Sequence, residues 1–221
     1  MNIQEVTGFL SELKQNNNRD WLNKHKGRYD KIKQEFLVFL KDIIIEISRF
    51  DPTIAPVEPQ HCLFRLNRDV RFSNDKSPYK THIGAFISKT GRQGNSPGYY
   101  IHIEPSNTFL AGGLYMPPPD LLKEVRNEIY YNHNEFRAIL SHPDFIRLFG
   151  QLDESDKLSR PPKGVDASWP YVDLLKYKSY TATHMLNTEE VKTDHLRSVM
   201  VYVFGAMYPF IAFLYKAKWK P

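Results

Sequence analysis

The residues with the greatest capacity for chemistry lie close together between positions 64 and 80, in the segment FRLNRDVRFSNDKSPYK. Its charged side chains are five cations and two carboxylates: Arg65, Arg68, Arg71, Lys76, Lys80, Asp69 and Asp75. Between them stand the apolar and aromatic residues that are expected to pin the segment: Phe64, Leu66, Val70, Phe72 and Tyr79. A guanidinium group presents a planar fork of donors that fits carboxylates and phosphates. The segment is therefore either an internal Arg–Asp network or the wall of an anion site.

The charge imbalance is the argument for an anion site, because two local carboxylates cannot neutralise five cations. Ser77 precedes Pro78 and should be extended, which would direct Tyr79 and Lys80 along the next strand. The ligand would be a small molecule that carries a phosphate or a carboxylate, and its site could be enzymatic. The side chains expected to bind it are Arg65, Arg68, Arg71, Lys76, Tyr79 and Lys80.

Two other interpretations of the same segment stay open. Distant carboxylates such as Glu104, Asp120 or Glu124 could pair with the arginines, and the segment would then be a structural lattice without a ligand. Alternatively, the mildly basic surface could belong to a nucleic-acid or protein-binding module, and duplex binding would require an extended positive stripe. The formal net charge is only +5. Because nucleic-acid binders usually concentrate positive charge more heavily, a nucleic-acid partner is not favoured.

A pair of glycines, Gly112 and Gly113, lies inside a predicted strand and is a further candidate for ligand binding. Glycine within a strand usually marks a bulge or a close approach by backbone or ligand. We therefore predict that Arg68 and Arg71 point into a cavity beside the two glycines. Tyr79 or Lys80 should share that cavity.

Other reactive side chains give weaker signals. His102 and Glu104 should project from the same strand face, with His82 as a neighbour, and two imidazoles with a carboxylate could bind a divalent metal. Isolated polar residues are common on a solvated sheet face, so neither a metal nor a cofactor is assigned. Cys62 is expected to be a small buried apolar residue. The chain lacks the phosphate-loop, dinucleotide, serine-hydrolase and zinc-protease motifs, which leaves any catalytic residue unidentified.

The cellular setting is indicated by the single cysteine and by the two ends of the sequence. One cysteine excludes an internal disulfide and fits a reducing compartment. The first residues lack a secretory signal, so we predict a cytoplasmic protein. Residues 198–215 carry no charge and reach the lower limit for a membrane span. Gly205, Pro209 and the one-sided apolar spacing instead predict a buried helix and no membrane contact.

The periodicity of apolar residues predicts one α+β domain covering residues 1–221, and it gives no indication of an oligomeric state. Helices are expected within residues 1–52 and 118–150, a sheet core within 60–116, and a last strand with a closing helix within 177–218. The strands are placed at about 61–66, 82–89, 99–104, 108–115 and 177–185. They should form a mainly antiparallel sheet of about five strands, covered by the N-terminal, central and C-terminal helices.

The motif FRxxRDxRFSxDKxPYK at positions 64–80 resembles the signature of an uncharacterised family, domain-of-unknown-function family 2461, which occurs in bacteria and fungi. The resemblance covers nearly the whole chain and extends through these further positions: Gly84, GYY at 98–100, GGLY at 112–115, Arg126, PKG at 162–164, LLK at 174–176 and Pro209. It implies a soluble α+β domain, and it implies no activity, substrate or catalytic residue.

Overall fold

A computed structural model of the chain describes residues 1–71, 73–191 and 193–217, and its order of elements confirms the predicted α+β class. The helices are α1 Ile3–Gln15, α2 Arg19–Lys24, α3 Lys26–Ser48, α4 Pro59–Cys62, α5 Pro119–Tyr131, α6 His133–Leu140, α7 Pro143–Phe149 and α8 Thr193–Leu214. The strands are β1 Ile83–Ile87, β2 Gly98–Ile103, β3 Phe109–Leu114 and β4 Tyr180–Met185. Short 3-10 turns lie at Pro52–Ile54 and Val172–Leu175.

The strands form one antiparallel sheet in the order β1-β2-β3-β4. Among the described residues the sheet has four strands, so the predicted count of about five is slightly high. The expected strand at 61–66 is wrong, because Pro59 opens the short helix α4 in its place. Only an isolated bridge between Leu63 and Ala85 extends the sheet there, beside the hydrogen bond from Phe64 N–H to Gly84 O at 3.0 Å.

One face of the sheet is covered by helix α8, which packs on β3 and against α3, and the other is open. Tyr99, Ile101 and Ile103 on β2 point to the covered face and are fully buried. The side chains of Tyr100 and His102 alternate to the open face, as the two-residue period of a strand requires. This division decides where a ligand could reach the sheet.

Gly112 and Gly113 allow α8 to lie directly against β3. A Cβ atom at Gly112 would overlap Met207 Sδ on α8 and would lie 2.8 Å from Gly98 O. Gly113 has a φ of 123°, and a Cβ atom there would overlap the carbonyl oxygen of Tyr180. The glycines therefore make room for a helix and a neighbouring strand.

Helix α8 is long and apolar enough to span a membrane by length and composition alone, over His195–Leu214. One side of it is buried in the protein core, at Leu196, Met200, Val203, Phe204, Met207, Phe210, Ile211, Phe213 and Leu214. Such burial is typical of the core helix of a soluble protein and agrees with the prediction made from the one-sided spacing.

A buried carboxylate joins the end of α3 to the sheet. Asp51 is 1% exposed and accepts a hydrogen bond from the phenol of Tyr99 at 3.0 Å. Its other oxygen accepts from Thr53, at 3.2 Å from the backbone nitrogen and 2.6 Å from the hydroxyl. Burial and the nearby Asp51 raise the pKa of Tyr99 far above its usual value, so the phenol keeps its proton and donates it.

Candidate functional site

The open face of the sheet forms the floor of a cavity of about 620 Å³. Its floor is mostly aromatic and apolar, with side chains from all four strands: Phe86, Tyr100, Phe109, Ala111, Thr183 and Met185. The ring centroids of Tyr100 and Phe109 lie 5.8 Å apart, and Phe64 meets Tyr100 edge-on at 6.2 Å. The floor therefore offers flat apolar surface to a small molecule.

Two cations, Lys80 and Arg92, line the cavity at its β1 edge. The ammonium of Lys80 lies 5.2 Å from the ring centroid of Phe64, and its backbone N–H donates to Leu66 O at 2.8 Å. Burial, and then the nearby Arg65, lower the pKa of Lys80. No carboxylate of the described residues forms an ion pair with the Lys80 ammonium, which leaves that charge to a ligand or to water.

Arg92 is held at the same edge by the carbonyl groups of α4. Its Nη1 donates to Gln60 O at 3.0 Å and to His61 O at 3.3 Å, while its backbone N–H donates to His61 O at 2.9 Å. These bonds fix the guanidinium beside the cavity without neutralising its charge. The loop between β1 and β2 therefore supplies a second oriented cation.

A polar chain runs along β2 from the cavity floor. The Tyr100 phenol lies 3.0 Å from His102 Nδ1, and His102 Nε2 lies 3.4 Å from Glu104 Oε2. Thr81 donates its hydroxyl to Glu104 Oε1 at 2.8 Å. Gly84 makes this arrangement possible, since a Cβ atom there would lie 2.8 Å from the Tyr100 hydroxyl oxygen.

Burial determines the protonation states in this chain. It raises the pKa of Tyr100 to about 12, and the charge of Glu104 adds to the effect. It lowers the pKa of His102, against an opposing effect of Glu104. For Glu104 burial alone would raise the pKa, but hydrogen bonds from Thr81, Asn107 and His102 outweigh it and the pKa is lowered. At neutral pH, Tyr100 therefore donates to a neutral His102, which donates to the Glu104 carboxylate.

His82 lies beside His102, as expected from the sequence, with ring centroids 4.3 Å apart. Burial, together with His102 and Lys80, lowers the pKa of His82 to about 4. Within the described part of the chain, no three or more His, Cys, Asp and Glu side chains are grouped as metal ligands. Burial keeps both histidines neutral, their rings pack against each other, and His82 lines the cavity.

The described part of the 64–80 segment is an irregular loop that is hydrogen-bonded to Asn17, in the turn between α1 and α2. Asn17 donates to Tyr79 O at 3.0 Å and accepts from Tyr79 N at 3.1 Å, while Asn67 and Tyr79 form an isolated bridge. Leu66 and Tyr79 are buried, as anchors of the loop should be. Phe72, the other aromatic residue expected to anchor its centre, lies outside the described residues.

The charges at the tip of this loop largely pair with one another. Arg71 contacts Asp69 through two bonds, Nε to Oδ1 at 2.9 Å and Nη2 to Oδ2 at 2.6 Å. Arg68 pairs with Asp75. The hydrogen bonds from Arg71 lower the pKa of Asp69 to about 2. Such pairs between near neighbours in sequence are typical of a loop that is stabilised internally.

The structure brings only part of the predicted site together. Lys80, Gly112 and Gly113 line the cavity, whereas the described lining does not include Arg65, Arg68, Arg71, Lys76 or Tyr79. The described lining of this cavity therefore does not bring Arg68 and Arg71 together with the two glycines. Lys76 donates to Val70 O at 3.0 Å within its own loop, and Tyr79 is an anchor. A role for these residues in ligand binding stays a prediction.

Arg92 and the aromatic floor were missed by the sequence reasoning. Arg92 lies in the glycine-rich segment 91–98, which contained none of the candidate binding residues predicted from the sequence. A signal was present, because Phe86, Tyr100 and Phe109 alternate with buried residues on their strands. Aromatic residues on the second face of three adjacent strands indicate a sheet whose second face is not simply solvated.

Comparison with protein families matches the chain to one family. The profile of the family described as conserved hypothetical protein DUF2461 matches residues 5–213. The chain belongs to that family. Comparisons with curated proteins and with solved structures give no match.

Proposed function

We propose that the protein binds a small anionic molecule with an apolar body in the cavity over the open sheet face. The observation that carries the proposal is the aromatic cavity of about 620 Å³ with the unpaired ammonium of Lys80 at its edge. Small-molecule sites usually enclose ~300–1,000 Å³ and combine apolar walls with a few placed polar groups. This cavity has that size and that composition.

The two parts of the site would recognise two parts of the ligand. Tyr100 and Phe109 offer ring faces on which a flat or aliphatic body can pack, and burial of apolar surface contributes about 25 cal/mol per Å². Lys80 and Arg92 would bind a carboxylate or phosphate at the β1 edge. Because the floor is large and the cations stand at its margin, we expect the apolar body to dominate affinity and the anion to orient it.

The remaining interpretations differ in how well they fit. A structural role for the 64–80 loop is supported by the pairs Arg68–Asp75 and Arg71–Asp69, and it is compatible with a ligand on the open sheet face. The same local pairing weakens the case for a nucleic-acid or protein-binding module, which would need unpaired cations in a stripe. The single cysteine supports a reducing, cytoplasmic setting.

A thermal-shift screen of aromatic carboxylates, phosphates and nucleotides tests the proposal. A ligand at a hundred times its dissociation constant adds about 2.7 kcal/mol of stability. For a chain of this size, that gain would raise the melting temperature by roughly 5–11 °C. Lys80→Ala should weaken binding by about tenfold or more, because it removes a charge-assisted hydrogen bond.

The matched control is Lys76→Ala, a lysine of the same loop that does not line the cavity. It should leave the shift unchanged. If no compound of the screen stabilises the protein, the proposal is refuted. Equal loss of the shift in both lysine variants would place the anion on the 64–80 loop and contradict the site described here.

A further inference from the structure

The charges that line the cavity are distributed unevenly between its two edges. Lys80 and Arg92 belong to the β1 edge, where the segment 60–64 runs beside that strand. The carboxylate of the described lining is Asp153, which belongs to the β4 edge. The backbone N–H of Asp153 donates to Thr181 O at 2.9 Å, and this bond joins the residue to the beginning of strand β4.

The Asp153 carboxylate is held in place and lacks a cation. Its Oδ1 accepts a hydrogen bond from the backbone N–H of Ser155 at 2.9 Å, which fixes the side chain in a turn. No lysine, arginine or histidine of the described residues forms an ion pair with it. The cavity thus contains an unpaired carboxylate at one edge and an unpaired ammonium at the other.

The sheet sets a minimum for the distance between these charges. Strands β1 and β4 are the two edge strands, with β2 and β3 between them. Three inter-strand spacings of about 4.8 Å separate the edges by roughly 14 Å across the sheet. The register adds an offset along the strands, because Thr181 pairs with Gly113 at the end of the sheet opposite to Ile83, where β1 begins after Lys80. The intervening surface is apolar, since Tyr100, Phe109 and Ala111 lie between the two ends.

We infer that the ligand is an elongated zwitterion, with its anionic group at Lys80 and Arg92 and an amine at Asp153, joined by an apolar chain across the sheet. This inference rests on the proposed function and specifies the class of ligand. The amine donates hydrogen bonds to the Asp153 carboxylate, and the apolar chain lies over the rings of the floor. A ligand of this kind pairs both lone charges without placing a polar group on the apolar surface.

Isothermal titration with four probes tests the inference: aminododecanoate, aminohexanoate, dodecanoate and dodecylamine, each kept below its micelle-forming concentration. Aminododecanoate should bind roughly tenfold more tightly than dodecanoate, because only it can reach both edges. Aminohexanoate is too short to span the edges and should gain no advantage from its amine.

Two variants assign the gain to its residue. Asp153→Asn should remove the advantage of aminododecanoate over dodecanoate while leaving dodecanoate affinity unchanged or improved. The matched control is Asp166→Asn, since Asp166 accepts from Ser168 N at 2.8 Å in a similar turn and does not line the cavity. Lys80→Ala should weaken both long-chain anions.

The outcomes separate this inference from the proposed function. If dodecanoate binds in a Lys80-dependent manner but aminododecanoate binds no more tightly, the zwitterionic class is overturned and the anion site stands. The zwitterionic class is also overturned if Asp166→Asn abolishes the amine's advantage as fully as Asp153→Asn does. If none of the four probes binds, the zwitterionic class is overturned, and the broader thermal-shift screen decides the proposed function independently.

Discussion

Substituting Gly112 by alanine should destabilise the protein because α8 lies directly on this residue. The new methyl group would overlap Met207 Sδ, and it would stand 2.8 Å from Gly98 O and 3.5 Å from Ile211 Cδ1. Met207 and Ile211 are fully buried, so neither can move into solvent. Overpacking of a core by one carbon typically costs about 1–3 kcal/mol. We expect a loss near the middle of that range, which would lower the melting temperature by roughly 4–8 °C.

Urea unfolding followed by circular dichroism measures this loss as a lower midpoint at unchanged m-value. Gly27→Ala is the control, since Gly27 lies in α3 with no atom near its Cβ position, and it should be neutral or stabilising by up to about 1 kcal/mol. The folded Gly112 variant should still bind a ligand, because its methyl group points to the covered face of the sheet.

A double-mutant cycle with Met207→Ala tests the steric explanation. Met207→Ala alone should cost about 2–5 kcal/mol through the cavity that it leaves. With Gly112→Ala the combined loss should be smaller than the sum, by about 1 kcal/mol or more, because the new methyl group occupies the vacated space. Strict additivity, or a neutral Gly112→Ala, would refute the packing of α8 on β3 described above.

Three further predictions concern buried polar groups. The pKa of His82 is lowered to about 4 in the folded state, so between about pH 6.5 and pH 4 the unfolded chain binds a proton at His82 that the folded protein does not bind. The free energy of unfolding therefore falls as the pH drops below about 6.5. After a discount for partial exposure, His82→Gln should remove about 1 kcal/mol of the stability loss between pH 7 and pH 5, measured by urea unfolding. Tyr99→Phe should cost about 1.5–3 kcal/mol in the same assay, because Asp51 loses a buried donor. Burial raises the pKa of Cys62 to about 12, so native protein should resist iodoacetamide at pH 8 and react once unfolded, and fast native labelling would contradict its burial.

The sequence predicted those elements whose apolar period is long or bounded by clear stop signals. The strand expected at 99–104 is β2, and the helices expected within 118–150 include α5, which begins at Pro119. The alternation of apolar residues placed His82 beside His102 before the pairing register was known. It failed at residues 61–66, where a short apolar run cannot distinguish a strand from the helical turn that Pro59 begins.

The candidate site was only partly accessible to sequence reasoning because it is assembled from distant segments. Lys80 was identified from its charged surroundings, but Arg92 and Asp153 lie in separate loops, and only the folded sheet places them at the two edges of one cavity. Arg68 and Arg71 pair with carboxylates of their own loop, which is the structural alternative that the sequence had left open. Gly112 was expected to mark a close approach, and its Cβ position meets Met207 and Ile211 of α8.

The most direct test of the central claim is a two-dimensional amide NMR titration with the tightest anion found in the thermal-shift screen. The account predicts that the amide signals of Lys80, Ala111 and Thr183 shift saturably, since these residues surround the cavity over the open sheet face. The signals of Arg68 and Arg71 should stay in place. Saturable shifts confined to those two arginines and their loop, with Ala111 and Thr183 unmoved, would contradict the account.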